Sequence, residues 1–264
     1  MNLRAGLERR WKSACWKAQN HLHAVLLTRM KLEWKLASGI VLRVKSPADW
    51  GIYNDIFVEN EYDPPLRDTL SQATGGGPVR ILDLGANVGF FALRALHLRH
   101  LLNVTAPLEI CCVEGSPRNF QELRSRVGSF AGQLQLVHGL AGKRSGNAAI
   151  QQSASHGMTR VVAAASGTAP KVGYVDLMEL TRRWETIDLV KCDIEGSEEA
   201  VLKNYPDLLR KTRGLVMELH HHLVDITNCR RLVQAAGLTH HRILAERPYC
   251  SVEYFTADAP NPDL

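Results

Sequence analysis

The sequence predicts an α/β protein in which helices cover both faces of a mostly parallel sheet. Two observations predict this class: apolar runs of strand length alternate with helical segments after residue 78, and polar residues cluster where these runs stop. Strands buried on both faces read as continuous apolar runs, and their alternation with helices is typical of parallel sheets. The hydrophobic fraction of 45% and charged fraction of 22% agree with a globular chain.

Residues 1–45 form a basic segment that carries ten Lys or Arg against two acidic residues, a net charge of +8. Between residues 3 and 36 there is no Pro, and large apolar residues recur mostly every three to five positions, which predicts one or two amphipathic helices. We expect this helical extension to cover an edge of the body or to contact a partner, for example a second copy in a homodimer. Basic faces that carry Trp also suit anionic lipid and nucleic-acid phosphate, so both remain alternatives.

A short strand is predicted at 39–44, and a turn-rich aromatic stretch follows it. The aromatic residues of this stretch are Trp50, Tyr53, Phe57 and Tyr62. They form either a lid over a ligand or plain packing against the sheet, and the sequence leaves both readings open. The Gly-rich run 74–78 predicts a flexible joint.

After this joint the alternation of strands and helices becomes regular. Strands are predicted at 79–84, 108–113, 134–138, 147–151, 159–163, 187–192, 214–219, 241–245 and 251–255. Helices are predicted at 90–100, 119–127, 176–184, 198–205 and about 225–236. We therefore expect one domain at 46–264, with a cover segment at 46–78 and the core at 79–264.

The loop that follows the first core strand is the first candidate binding element. It reads Asp83-Leu84-Gly85-Ala86-Asn87-Val88-Gly89, and its glycines let main-chain N–H groups approach a ligand closely. Asp83 can accept hydrogen bonds from an ammonium group or order a bridging water. The dinucleotide fingerprint requires Gly at the middle position, where this chain has Asn87, so the loop argues against a pyrophosphate cofactor.

The second core strand ends in Glu114, whose carboxylate can accept hydrogen bonds from both hydroxyls of an unphosphorylated ribose. Together with the glycine loop, this residue predicts an adenosine ligand without phosphates. The predicted cofactor-binding residues are Asp83, Gly85, Ala86, Asn87, Gly89, Glu114, Gly115 and Ser116.

Two further strand ends carry acidic residues and histidine. Asp193 and Glu195 follow one apolar strand, and side chains two positions apart point the same way if that strand continues. These carboxylates can hold a cation, orient a hydroxyl or accept its proton. Glu198 of the same run is interpreted as a helix cap.

The next strand ends in Glu218 and His220, which share one side by the same period of two. We predict that Asp193, Glu195 or His220 acts as the catalytic base, because imidazole titrates near neutral pH. A divalent metal such as Mg²⁺ on Asp193, Glu218 and His220 is the second expectation for this region.

With these residues identified, the chain resembles the FkbM family of S-adenosylmethionine-dependent methyltransferases over residues 46–222. The runs that carry the resemblance are Ile81-Leu82-Asp83-Leu84-Gly85-Ala86-Asn87-Val88-Gly89-Phe90-Phe91, Val113-Glu114-Gly115-Ser116-Pro117-Arg118-Asn119-Phe120 and Asp188-Leu189-Val190-Lys191-Cys192-Asp193-Ile194-Glu195-Gly196-Ser197-Glu198. Gly115-Ser116 departs from the Pro-Asn that members often have there. The basic segment before residue 46 is not part of the shared pattern.

The resemblance implies a class I methyltransferase fold, a Rossmann-like sheet of seven strands whose last strand is antiparallel. It assigns Asp83, Gly85, Asn87 and Gly89 to the methionine part of the cofactor, Glu114 to its ribose, and residues 193–198 to the reaction face. It implies methyl transfer to a hydroxyl of a small natural product or sugar. The alternatives are an RNA methyltransferase that uses the basic segment and a non-catalytic adenosine-binding module.

No apolar run approaches the roughly 18 residues that a spanning helix needs, and no signal-peptide core follows the basic start, so the chain is expected in the cytoplasm. The six cysteines form no C-x-x-C pair, which indicates neither a disulfide framework nor a zinc site.

Overall fold

The computed structural model describes residues 32–73, 77–152, 159–162 and 171–257. Its strands are β1 Leu32–Lys35, β2 Val41–Val44, β3 Val79–Leu84, β4 Leu108–Glu114, β5 Leu134–His138, β6 Asn147–Gln152, β7 Thr159–Val162, β8 Lys171–Gly173, β9 Leu189–Cys192, β10 Gly214–His220, β11 His240–Glu246 and β12 Cys250–Thr256. Its α-helices are α1 Pro47–Tyr53, α2 Asp63–Ser71, α3 Phe90–Leu101, α4 Pro117–Val127, α5 Leu177–Leu180, α6 Glu198–Asn204, α7 Pro206–Arg210 and α8 Ile226–Ala235.

Seven strands form the central sheet in the order β11-β12-β10-β9-β3-β4-β5. The five strands from β10 to β5 are parallel, whereas β12 runs antiparallel to both β10 and β11. The structure therefore confirms the predicted α/β class and the mostly parallel sheet of seven strands. Since the carboxyl ends of parallel strands meet at one edge, the polar residues that follow β3, β4, β9 and β10 are brought together there.

The core lies on both faces of this sheet. Alternate residues of β3 divide between the two apolar layers, with Ile81 in one and Leu82 and Leu84 in the other. The first layer contains α3 and the cover segment, and the second contains α6, α7 and α8. Every residue of β9 is buried, Lys191 included, because both faces of the sheet are covered.

The cover segment is mostly helical, so the prediction of a turn-rich stretch there is wrong. Ser46 caps α1 by accepting a hydrogen bond from the backbone N–H of Asp49 at 3.1 Å, and Pro47 occupies the first helical position. This pair is a helix start, because Pro has no N–H to satisfy in the first turn. A π-helical turn at Asn54–Val58 continues α1.

Residues 1–31 of the predicted helical extension lie outside the described residues. Its end is different from the prediction, because Leu32–Lys35 is a strand that pairs antiparallel with β2. Exposure alternates along this strand, and the Trp34 ring stacks on Tyr53 at 4.9 Å, so its pattern follows the strand period of two. Among the described residues, no helix combines the length and apolar character needed to cross a bilayer.

The stretch between β5 and α5 contains a small separate sheet. The two strands predicted there are found as β6 and β7, and β8 adds a third that the sequence analysis missed. Predicted helix 176–184 is shorter than expected, since α5 ends at Leu180. Pro206 starts an additional short helix, α7, directly after α6.

Candidate functional site

The loop after β3 turns through residues with positive φ. Gly85 has φ of +76° and Asn87 of +49°, and Asn is one of the few non-glycine residues that adopt this conformation readily. A Cβ atom on Gly85 would lie 1.7 Å from the carbonyl oxygen of Asp193, so the β3 and β9 loops approach too closely for any side chain. Gly89 begins α3 with φ of +92°, and a Cβ there would lie 2.7 Å from Leu123.

Glu114 connects this loop to the end of β4. One of its carboxylate oxygens accepts the backbone N–H of Asn87 at 2.8 Å, and the other accepts that of Ser116 at 2.7 Å. Burial raises the pKa of Glu114 to about 7, although both backbone hydrogen bonds favour its charged form. Each carboxylate oxygen has a second lone pair, so Glu114 can still accept ribose hydroxyls.

A cleft that is partly open to solvent lies between these loops. It is lined by Gly85, Asn87, Val113, Glu114, Gly115, Ser116, Asn119, Gly139, Leu140, Ala141, Asp193, Ile194, Glu195 and Ser197. A Cβ on Gly115 would lie 2.5 Å from Cδ2 of Leu140, so the Leu140 side chain would have to move to admit it. The carboxylates of the lining would repel a pyrophosphate, which supports the predicted adenosine ligand without phosphates.

Asp83 is fully buried behind this cleft and pairs with a buried lysine. Its Oδ1 lies 3.4 Å from the Lys191 ammonium, which also donates a hydrogen bond to the Gly85 carbonyl at 2.7 Å. Burial works to lower the pKa of Lys191, but the charges of Asp83 and Asp193 outweigh it and raise this pKa. Asp83 therefore fixes the glycine loop through Lys191, and it is not among the residues that line the cleft.

The ends of β9 and β10 bring two carboxylates and one imidazole together. Ligand atoms of Asp193, Glu195 and His220 lie within 4.8 Å of one another. β9 ends at Cys192, so the condition under which Asp193 and Glu195 would point the same way along a strand is not met. A turn in which Glu195 has φ of +55° brings its Oε2 to 3.3 Å from His220 Nε2 instead.

Glu198 supports this cluster from the first residue of α6. It is fully buried, and its Oε1 accepts the backbone N–H groups of Ile194 at 3.3 Å and Gly196 at 3.1 Å. The same oxygen lies 3.2 Å from His220 Nδ1. The interpretation of Glu198 as a helix cap is wrong, because its Oε1 accepts N–H groups of the loop before α6, and no side-chain hydrogen bond caps this helix. Its contact with His220 was not predicted from the sequence.

His220 is buried among these carboxylates. Burial works to lower its pKa, but the hydrogen bond and charge of Glu198, with the charges of Asp193 and Glu195, outweigh burial and raise the pKa of His220 to about 9. In the ligand-free protein at neutral pH, His220 is therefore an imidazolium that donates from both ring nitrogens.

A second cavity of about 440 Å³ lies under the cover segment, next to the cleft. Its lining combines carboxylates, a lysine and apolar or aromatic side chains: Ile52, Asp55, Ile56, Glu61, Tyr62, Ala86, Asn87, Phe90, Phe91, Lys191, Asp193 and Glu218. Asn87 and Asp193 line both cavities, so the two meet at these residues. Burial, with the charge of Asp193, raises the pKa of Glu218 to about 7.

The predicted residues divide between these places. Five of the predicted cofactor-binding residues line the cleft: Gly85, Asn87, Glu114, Gly115 and Ser116. Ala86 lines the second cavity, whereas Asp83 and Gly89 shape the loop from behind it. Of the predicted metal ligands, Glu218 is not in the close cluster, since the β9 turn places Glu195 there in its stead.

The sequence analysis missed several residues of the site. Lys191 carried a signal, since a lysine in an apolar strand needs a partner, and parallel pairing aligns it with Asp83. Asp55 and Glu61 gave a weaker sequence signal, as acidic residues in the aromatic part of the cover segment. Leu140 and Ala141 gave no sequence signal. Of the four aromatic residues, Tyr62 lines the cavity, while Trp50, Tyr53 and Phe57 contact one another.

The strand order, the antiparallel strand next to the sheet edge and the cleft beyond β3 and β4 define a class I S-adenosylmethionine-dependent methyltransferase. The model of one family, the methyltransferase FkbM domain, matches residues 83–243. The chain belongs to this family, which confirms the resemblance found in the sequence. Comparison with curated protein sequences gives no match.

Among solved structures, the chain is similar to the methyltransferase domain of METTL16, with 10% identity over 85% of this chain and 86% of that one and a TM-score of 0.48. It is also similar to Aeropyrum pernix fibrillarin with bound S-adenosyl-L-methionine, with 15% identity over 67% of this chain and 66% of that one and a TM-score of 0.41. A third is M. capricolum TrmK in complex with S-adenosyl-homocysteine, with 10% identity, coverages of 73% and 67% and a TM-score of 0.40. These similarities are too low to transfer a substrate to this chain.

Proposed function

We propose that this methyltransferase transfers a methyl group to a hydroxyl oxygen of a small, polar acceptor bound in the second cavity. The observation that carries this proposal is that the cavity under the cover segment meets the cofactor cleft at Asn87 and Asp193. An acceptor there lies next to a cofactor in the cleft, which is the proximity that group transfer requires.

The cleft has the groups that S-adenosylmethionine needs. Glu114 accepts the ribose hydroxyls, and the backbone at Gly85 and Asn87 can approach the methionine part closely because it turns without steric hindrance. Asp193 and Glu195 place negative charge where a sulfonium would lie. When bound, the cofactor supplies a methyl group already activated by its positively charged sulfur.

The acceptor cavity suits a hydroxylated molecule such as a sugar or a small natural product. Asp55, Glu61 and Glu218 can accept hydrogen bonds from hydroxyl groups, and the Tyr62 and Phe90 side chains offer apolar surface for carbon faces. The excess of carboxylates in the lining of this cavity disfavours a phosphorylated acceptor.

Asp193 is the best placed proton acceptor because it faces both cavities. A bound cofactor would supply the methyl group, and the Asp193 carboxylate would accept the proton that the acceptor hydroxyl loses. Glu195 lines only the cleft, and His220 lines neither cavity. We therefore assign His220 to holding Glu195 through their 3.3 Å contact, in place of the direct base role considered for it.

An RNA acceptor is the alternative, and the acidic lining argues against it, because a phosphate backbone requires positive charge for binding. Most of the basic segment that would serve such an acceptor lies outside the described residues. A non-catalytic adenosine-binding module would not need the carboxylates at the junction of the two cavities.

A turnover assay tests the proposal. The full chain is incubated with S-adenosylmethionine and, separately, with mixed sugars, small hydroxylated natural products and total RNA, and S-adenosylhomocysteine release is measured. We expect release with a hydroxylated small molecule, loss of release in Asp193→Asn and retained cofactor binding in that variant. Turnover on RNA alone, or cofactor binding without turnover on any acceptor, would contradict the proposal.

A further inference from the structure

The residues at the ends of β9 and β10 form a cluster of two carboxylates and one imidazole, here called the β9–β10 cluster. Asp193 and Glu195 offer carboxylate oxygens and His220 offers an imidazole nitrogen, all within 4.8 Å. These donors come from two neighbouring strand ends, so the sheet fixes their separation. Carboxylates with one imidazole form a donor set that accepts divalent cations such as Mn²⁺ or Mg²⁺.

A second observation concerns how the histidine is held. Glu198 lies 3.2 Å from Nδ1 of His220, so the other ring nitrogen, Nε2, is the one directed at Glu195. Metal-binding histidines usually donate their second N–H to such a carboxylate, which fixes the ring orientation and the tautomer. Since Glu198 also accepts the N–H groups on either side of Glu195, one buried carboxylate orients two of the three donors.

A third observation is the excess of carboxylates over cationic side chains around this cluster, where Asp83 and Glu198 are fully buried. In the described part of the chain, the carboxylates linked here through ion pairs or the shared cavity are Asp55, Glu61, Asp83, Asp193, Glu195, Glu198 and Glu218. The cationic side chains among them are Lys191, His220 and Arg247. Glu198 Oε2 is buried without a hydrogen-bond partner in the structure. A bound cation offsets such an excess.

The positive charge of Lys191 repels a cation on Asp193 less than its 3.6 Å distance from Asp193 suggests. The Lys191 ammonium lies 3.6 Å from Asp193 Oδ2, but it also lies 3.4 Å from the fully buried Asp83 carboxylate. Asp83 therefore compensates much of the lysine charge.

We propose that Asp193, Glu195 and His220 bind a divalent cation of the Mg²⁺ or Mn²⁺ type, with Glu198 as the outer residue that orients His220. This inference rests on the proposed function, because Asp193 lines both cavities and a cation held by it would lie beside the acceptor hydroxyl. Such a cation would lower the pKa of that hydroxyl and ease loss of its proton.

The test is a titration of the chelator-treated full chain with Mn²⁺, followed by electron paramagnetic resonance of the free ion. We expect saturable binding of one ion. Glu195→Gln should weaken binding at least as much as Glu198→Gln, for which a loss of roughly 10–100-fold is typical of outer-shell residues. Glu199→Gln, one residue further along α6 and paired with Lys203, is the matched control and should bind Mn²⁺ as the unmodified chain does.

Glu218→Gln distinguishes the ligand set found in the structure, which includes Glu195, from the set predicted from the sequence, which includes Glu218. If Glu218 were a ligand as the sequence suggested, its variant would lose as much Mn²⁺ affinity as Glu195→Gln, and the assignment of Glu195 would be overturned. S-adenosylhomocysteine binding, measured on every variant, shows that each one folds.

The outcomes distinguish this inference from the proposed function. Equal Mn²⁺ binding by the unmodified chain and Glu195→Gln would overturn the cation site while leaving methyl transfer intact. Tight Mn²⁺ binding with no turnover on any hydroxylated acceptor would support the cation site and contradict the proposed function.

Discussion

Glu114 holds two backbone segments of the cleft, and under the proposed function it also accepts the ribose hydroxyls. Its two carboxylate oxygens hold the backbone of Asn87 and of Ser116, which are the two sides of the cofactor cleft. A hydrogen bond to a charged group contributes about 1.5–3 kcal/mol. Loss of the charge therefore affects both the geometry of the cleft and its contact with ribose.

Glu114→Gln is expected to weaken S-adenosylhomocysteine binding by roughly 10–100-fold, because the amide nitrogen faces a backbone N–H that it cannot accept from. Isothermal titration calorimetry measures this loss. Glu109→Gln, on the same strand but exposed, is the control and should bind as the unmodified chain does. Similar affinity in both variants would show that Glu114 does not contact the cofactor.

The raised pKa of Glu114 predicts a pH dependence of binding. Burial raises this pKa to about 7, so Glu114 is largely protonated below neutral pH and then accepts hydroxyl hydrogen bonds less well. Affinity for S-adenosylhomocysteine should rise by up to about tenfold between pH of about 6 and about 8. Calorimetry at several pH values measures it, and Glu114→Gln should flatten the profile. A flat profile in the unmodified chain would contradict this role.

The same raised pKa affects stability in the opposite direction. The folded state holds the Glu114 proton to higher pH than the unfolded state, whose carboxyl titrates near its ordinary value of 4.5. Stability of the ligand-free chain is therefore expected to fall as pH rises from about 4.5 to about 7 through this group, by an amount on the order of 1–3 kcal/mol. Urea denaturation measures the change, and it should be smaller in Glu114→Gln.

At the residue scale, the sequence predicted what depends on spacing along strands. Glu114 was found because it ends a strand beside the glycine loop. Glu195 was assigned to the reaction face, but its contact with His220 depends on a positive φ that a glutamate rarely adopts, and no pattern in the sequence announces it.

At the scale of elements, Arg126 of α4 connects the cover segment to the cofactor loop. Its guanidinium donates to the Asp49 carboxylate at 2.7 Å and to the Val88 carbonyl at 2.8 Å, and it lies over the Phe90 ring at 4.3 Å. Both charged side chains are nearly buried, with 4% exposure for Arg126 and 11% for Asp49. This one side chain therefore holds α1 against the start of α3.

Arg126→Ala is expected to lower the free energy of unfolding by about 3–5 kcal/mol, because it leaves the Asp49 carboxylate buried without its cation. Urea denaturation measures the loss. Arg124→Ala on the exposed side of the same helix should change stability by no more than about 0.5 kcal/mol. Equal stability of the two variants would mean that the cover is held by other contacts.

The close approach of the β3 and β9 loops gives a second prediction for elements. In Gly85→Ala the new Cβ would meet the Asp193 carbonyl oxygen at 1.7 Å, and φ of +76° is unfavourable for alanine. We expect a loss of stability above about 2 kcal/mol and weaker cofactor binding. Gly128→Ala, where a Cβ meets nothing within 4 Å, is the control. Unchanged unfolding of Gly85→Ala would contradict this view of the junction.

Elements with strong apolar periodicity were predicted to within a few residues, whereas the cover segment was not. Its helix start at Ser46-Pro47 resembles a turn signal, because both structures favour the same residue types. Residues 32–35 were predicted as part of a helix, but they form a strand. The contact between Trp34 and Tyr53 favours the strand, and no local sequence pattern reveals that contact.

At the scale of the whole molecule, cofactor binding should stabilise the chain. S-adenosylhomocysteine at about 100 times its Kd is expected to raise the free energy of unfolding by about 2.7 kcal/mol. NAD⁺ at the same concentration should have no effect, because its pyrophosphate would face the carboxylates of the cleft. Thermal unfolding with each ligand measures both, and equal stabilisation by NAD⁺ would contradict the predicted selectivity.

The overall architecture was predictable because apolar strands alternate with amphipathic helices throughout the core. The shapes of the two cavities were not, since they depend on the cover segment and on residues such as Leu140 that carry no chemical signature.

The position of β12 has a consequence for biosynthesis. This strand lies inside the sheet, between β10 and β11, and both of its edges are hydrogen-bonded. A nascent chain that has emerged only as far as β11 therefore exposes the apolar edge of β10, and such unpaired edges promote association between chains. A chain truncated before Cys250 is therefore expected to associate with other copies through this edge.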